Sequence, residues 1–180
     1  MNHRYTTTAI TLHWLVAIGL AGTFALGFYM ADLSLSPTKL KLYSYHKWAG
    51  ITLLLLVVAR LAWRAGHKPP PLPAGMSSVQ QWAAHAGHIA LYVLMLAIPL
   101  TGWLMSSAQG FTVVWFGVVP LPDLVARNKE LGIVLAQAHM VLNYCLLAVV
   151  CIHIAAAFKH HFIDRDGLLA RMVPGRRNVS

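Results

Sequence analysis

Apolar residues gather into four stretches, roughly residues 9–30, 43–63, 83–105 and 131–158, and charged residues flank them. Each stretch can cross a hydrocarbon core of about 30 Å, which takes about 20 helical residues. The pattern predicts an all-α integral membrane protein, a four-helix bundle forming one domain over residues 1–180. A soluble all-helical core is set aside because only 11% of the 180 residues are charged, against about 25% in ordinary soluble domains. The first stretch begins MNHRYTTTAITLHW, and no small-residue cleavage site stands out in GFYMADLSLSP. It is therefore kept as a membrane helix and not a removed leader.

Lysine and arginine placement gives the orientation. Arg4, Arg60, Arg64, Lys68, Lys159, Arg165, Arg171, Arg176 and Arg177 belong to the N-terminus, the second loop and the C-terminal tail. Lys39, Lys41, Lys47, Arg127 and Lys129 lie on the other side. The excess on the first side places both termini in the cytoplasm. In a bacterial cell, the first and third loops then face the periplasm and the chain is a multi-pass protein of the inner (plasma) membrane. The net charge of +9 invites a nucleic-acid partner. That class is excluded, because the charge flanks membrane spans and the tail has no nucleic-acid-binding signature. The tail, RDGLLARMVPGRRNVS, is expected to touch anionic lipid headgroups.

The connecting segments carry weaker signals. HKPPPLPAG, residues 67–75, predicts a stiff extended linker, because proline cannot continue a helix. Pro99 falls within the third stretch and predicts a kink. Residues 110–125, GFTVVWFGVVPLPDLV, are apolar yet proline-broken and too short to span. They fit either an interfacial segment anchored by Trp115 and Phe116 or a lid over one end of the bundle. Cys145 and Cys151 lie about 120° apart on the fourth helix, cannot pair there, and are expected to be small buried packing residues.

Histidines carry the candidate chemistry. The chain has ten, and His13, His46, His139 and His153 fall within or at the edge of predicted spans, where an ionisable residue is costly. His139 and His153 are fourteen residues apart, which returns to within about 40° of one helical direction and separates the rings by about 21 Å. Topology then matches depths: His46 with His139 near the periplasmic side, and His13 with His153 toward the cytoplasm. Each pair can clamp one haem iron through two neutral imidazoles, which favours electron transfer over oxygen binding. Zinc fits less well, because it takes four compact ligands. No CxxCH motif occurs, so any haem is non-covalent. Gly19, Gly22 and Gly50 offer room for a haem plane, or ordinary small-residue helix packing. His88 and His160 are candidates for haem propionates or a quinone and its protons; His85 and His161 are weaker ones. His3 and His67 read as surface residues. Lys47, beside a ligand, and Arg60 are propionate candidates. The periplasmic lysines and arginines can also steer an anionic substrate, offset by Asp32, Asp123 and Glu130.

ITLHWLVA (10–17), YHKWAGI (45–51), AHAGHIALYVLMLAIPLTGW (84–103) and the His139/His153 pair followed by KHHF (159–162) resemble the bacterial cytochrome b561 family over about residues 3–174. The compact form looks most like the superoxide oxidase type. The resemblance implies two b haems, with His13, His46, His139 and His153 as axial ligands. It also implies ubiquinone as acceptor at the cytoplasmic end and, for that branch, superoxide as periplasmic donor, making the chain a superoxide:ubiquinone oxidoreductase. His160 matches a histidine associated with the quinone site. The alternative is an electron-transfer subunit fed by a partner dehydrogenase or hydrogenase; the short loops and termini offer such a redox partner little docking surface.

Overall fold

A computed structural model describes residues 4–73 and 75–174; His3, Arg176 and Arg177 lie outside them. Four long helices dominate: α1 (Thr7–Ala31), α2 (Pro37–Gly66), α3 (Ser78–Ala108) and α4 (Lys129–Lys159). All four are long and apolar enough to cross a membrane. Each starts at least two residues before its apolar stretch because a polar side chain caps the first turn. Thr6 accepts from the Ala9 N–H, Ser36 from Lys39 with Pro37 at the first helical position, and Asn128 from Leu131. Ser77 and Gln80 form a reciprocal capping box. Such caps satisfy N–H groups that have no partner inside the helix. α3 continues through Pro99.

α1 packs on α2, α2 on α3 and α3 on α4, whereas the α1–α4 seam is sparse. Val16, Val57, Met95, Ile98 and Leu146 form the buried core, with every helix contributing. Leu146 stands seven residues from both His139 and His153, so this apolar layer separates the two histidine levels. Gly19 permits the close approach of α1 to α2: a Cβ there would lie 2.7 Å from Leu53 Cδ2. Cys145 and Cys151 are exposed on the outside of α4, which corrects the expectation of buried packing residues. An apolar helix in lipid can turn such small thiols outward at no cost in hydration.

One end of the bundle carries both described termini. Arg4 Nη2 donates to the Val173 carbonyl at 2.7 Å. α4 runs into a π-turn, His160–Asp164, followed by a 3₁₀ turn, Leu169–Met172. The chain from 168 to 173 is strapped across this end. Trp14 Nε1 donates to Met172 O at 2.8 Å, and Arg171 Nη1 reaches Pro71 O in the extended proline connector at 2.6 Å. The described part of the tail therefore folds back onto the bundle as well as carrying charge.

The opposite end carries a small antiparallel hairpin, β1 (Val114–Trp115) and β2 (Val119–Pro120). Its turn uses positive φ at Phe116 (52°) and Gly117 (72°). Trp48 Nε1 donates to Val114 O at 2.6 Å, Trp115 Nε1 to Thr52 Oγ1 at 3.2 Å, and Trp103 Nε1 to Pro122 O at 3.1 Å. Residues 110–125 are thus a folded cap pinned to α2 and α3. The Trp115 indole N–H is spent on α2.

Candidate functional site

Two imidazole pairs lie between the helices. His46 on α2 faces His139 on α4 with ring centroids 6.3 Å apart and planes at 77°. His13 on α1 faces His153 on α4 at 6.4 Å and 65°. α4 is unbroken between its two histidines, so the pairs sit about 21 Å apart along it. A metal–imidazole bond of about 2.0 Å plus about 1.1 Å from nitrogen to ring centre, taken twice, gives about 6.2 Å. Both pairs hold this separation, as rings on opposite sides of one metal would.

The surroundings would suit imidazoles that hold a metal-centred group. His139 Nδ1 lies 3.0 Å from Ile98 O and 3.3 Å from Thr101 Oγ1. A bond from Nδ1–H to the carbonyl fixes the tautomer and leaves Nε2 for a metal. His13 Nδ1 and His46 Nδ1 are buried with no hydrogen-bond partner among the described residues. A buried polar atom left unpaired costs about 1–3 kcal/mol, which a bound group would offset. Two glycines cradle the rings. A Cβ at Gly27 would lie 3.3 Å from His46 Cε1, and one at Gly102 would lie 3.2 Å from His139 Cε1. Gly22 and Gly50 meet nothing within 4 Å. Gly22 instead lines a cleft of about 430 Å³ between α1 and α2, with Trp48 and Phe116 also in its lining.

The remaining candidates separate. His88 is half-buried with its ring 5.7 Å from that of His153, a third imidazole at the terminal-end pair. Arg60 lies over the Tyr92 ring at 5.5 Å and Lys47 over Phe111 at 5.7 Å. Lys39 caps α1, with Nζ 2.5 Å from Leu33 O and 3.3 Å from Ala31 O. His85 and His161 are exposed, and His67 stacks on Trp63. His160 is half-buried and held by Asp166 and Asp164 in the π-turn. Spacing along the chain does not single out Gly27, Gly102, Thr101, Trp14 or the two aspartates. Gly102 falls within PLTGW and Trp14 directly after His13, and neither position marks its residue as a ring neighbour.

Paired, half-buried imidazoles across a membrane helix bundle define a membrane electron-transfer protein of the haem b class. The chain belongs to the prokaryotic cytochrome b561 family, whose model matches residues 4–175. That family binds haem b and is of oxidoreductase type, and the chain is a multi-pass bacterial membrane protein. "Cytochrome b561 homolog 2" of Escherichia coli (strain K12) is 38% identical over 172 residues, 94% of this chain and 91% of that protein. "Cytochrome b561 homolog 1" of the same organism is 30% identical over 97% of this chain and 99% of its own length. "Probable superoxide oxidase CybB" of Yersinia pestis is 27% identical over 98% of this chain and 99% of its own length.

Proposed function

We propose that this chain is a stand-alone superoxide oxidase, taking electrons from superoxide at the hairpin end and delivering them to ubiquinone at the terminal end. His46 with His139, and His13 with His153, would hold two non-covalent b haems, which supply one-electron redox chemistry when bound. The observation that carries this reading is the pair of matched ring separations, 6.3 and 6.4 Å, on two levels of one bundle. Two levels allow charge to cross the apolar layer of Val16, Val57 and Leu146 without a mobile carrier. The hairpin end would face the periplasm, where Lys41, Lys47, Arg127 and Lys129 attract an anion. The terminal end, richer in arginine and lysine, would face the cytoplasm in the inner membrane. His88 and His160 would serve the quinone, and Arg60 a propionate.

Rapid mixing of the purified protein with superoxide and ubiquinone, followed in the haem bands, tests this. Haem reduction by superoxide and reoxidation by quinone without any added protein are expected. A protein reduced only by a partner dehydrogenase or hydrogenase would be an electron-transfer subunit instead.

A further inference from the structure

We propose that Asp166, backed by Asp164, positions His160 as the proton donor of quinol formation, making the end of α4 a carboxylate–imidazole relay. This rests on the proposed reduction of quinone at the terminal end.

The placement begins with a seven-residue recurrence on α4: His139, Leu146, His153 and His160. Seven residues return to within about 20° of one direction. His160 therefore continues the face that bears both paired histidines, about 10.5 Å beyond His153 toward the terminal end. Its backbone is still helical (φ −61°, ψ −34°), and its side chain is only 14% exposed. It faces the bundle while standing at the edge of water.

The segment after α4 is built around this ring. The π-turn and the left-handed Arg165 (φ 52°) fold the backbone back, so that the Asp166 N–H reaches His160 O at 3.3 Å. A left-handed non-glycine residue persists only where its surroundings hold it. This fold brings Asp166 Oδ2 to 2.6 Å and Asp164 Oδ2 to 3.1 Å from His160 Nδ1. Asp166 Oδ1 accepts from the Leu168 N–H at 3.0 Å, which locks the carboxylate. Asp164 is shared with Lys159, whose Nζ lies 2.5 Å away. Asp166 answers to no other side chain among the described residues. With Nδ1 occupied, Nε2 is the ring nitrogen presented to a reactant, and a carboxylate on the far nitrogen is the standard means of fixing that orientation.

The location of the acids is selective. The chain has five acidic residues, and Asp32, Asp123 and Glu130 belong to the opposite end. Both acidic side chains of the terminal end are on His160. Among the described residues, the other charged or titratable groups there are Arg4, Tyr5, Arg60, Arg64, His67, Lys68, His85, His88, Tyr92, Lys159, His161, Arg165 and Arg171, beside the His13–His153 pair. A quinone reduced to quinol gains two electrons, supplied by the reduced b cytochrome, and two protons. In each protonation the Nε2–H bond of doubly protonated His160 breaks and an O–H bond forms on the quinone oxygen. The ring keeps its Nδ1–H on Asp166, and water at the bundle end returns a proton to Nε2. Asp166 acts through His160 and is a positioning residue.

The test is reoxidation of the pre-reduced holoprotein by ubiquinone, in H₂O and in D₂O. Asp166→Asn keeps an oxygen for the Leu168 N–H but removes the carboxylate. It should slow maximal reoxidation about tenfold or more, leave the quinone concentration at half-maximal rate nearly unchanged, and be largely rescued by Asp166→Glu. Combining it with His160→Gln should slow the reaction no further than His160→Gln alone. In ¹⁵N-histidine-labelled protein, one imidazole signal, assigned by its loss in His160→Gln, should move in Asp166→Asn. Wild-type rates in both variants, or additive losses, would overturn the relay while leaving quinone as acceptor. A wild-type protein that ubiquinone does not reoxidise would overturn both.

Discussion

The two imidazole pairs have nearly the same separation and very different surroundings. The hairpin-end pair is locked: His139 is tied to Ile98 O, and Gly27 and Gly102 leave room for the two rings that a Cβ would crowd. The terminal-end pair is crowded with polar groups. His88 adds a third ring beside His153, Trp14 sits edge-on to His13 at 5.4 Å, and the Trp14 indole holds the C-terminal strap. The separation suits one task, clamping an iron. The surroundings suit two: a tightly held site that receives single electrons, and a site with groups able to meet a reactant that also takes up protons.

The largest expected effect comes from removing a ligand. His139→Ala or His46→Ala should leave about half of the haem, since bis-histidine ligation needs both axial nitrogens. His13→Ala or His153→Ala should remove the other half. Pyridine haemochrome content and reduced spectra measure this. Variants on opposite levels that abolish the same spectral component would break the assignment of two independent sites.

Next in size is the cradle. Gly102→Val puts bulk where a Cβ alone would be 3.2 Å from His139 Cε1, and overpacking costs about 1–3 kcal/mol. Lower occupancy or a shifted potential is expected at the hairpin-end haem alone. Gly22→Ala, with nothing within 4 Å, should leave spectra and redox titration unchanged. Equal effects of the two substitutions would remove the distinction between a locked site and open space.

These glycines also mark where sequence reasoning stops. The four spans were legible because about 20 apolar residues leave little choice but a membrane helix. The depth matching of the histidines was legible because α4 is long and unbroken, so fourteen residues translate into depth. Helix ends were extended by caps at Thr6, Ser36, Ser77 and Asn128, which hydropathy does not register. Gly19, Gly22 and Gly50 were the candidates for haem space, yet Gly27 and Gly102 are the positions where a Cβ would crowd the rings. Which face of a neighbouring helix meets an imidazole depends on tertiary rotation, and one sequence does not carry it. The Asp164–His160–Asp166 cluster was equally hidden, because a π-turn and a left-handed residue break the helical periodicity that relates spacing to direction.

A smaller effect is expected at His88. Its ring touches the terminal-end pair without completing it, so His88→Gln should keep both haems. It should perturb the spectrum of the terminal-end haem only and slow its reoxidation by quinone. Loss of one haem would instead make His88 a ligand and reopen the pairing of His13 with His153.

The smallest effect concerns how the proposed donor, superoxide, would reach the hairpin-end pair. Five cations belong to the hairpin end, but they are not equivalent. Lys39 Nζ is spent on the C-terminal carbonyls of α1, where a cation contributes about 0.3–1 kcal/mol through the helix dipole. Lys47 lies one residue from His46, and its ammonium stands over the Phe111 ring, so more of its field is available to an approaching anion. Raising ionic strength from about 0.01 to 0.1 M shortens the screening length from about 30 to 10 Å, and the superoxide-driven rate should fall. Lys47→Gln should lower the low-salt rate by about twofold and flatten that salt dependence. Lys39→Gln should lower the thermal midpoint and keep the wild-type salt slope. If Lys39→Gln flattened the slope as much as Lys47→Gln, attraction would come from the net charge of the whole end, and proximity to the locked pair would have no part in it.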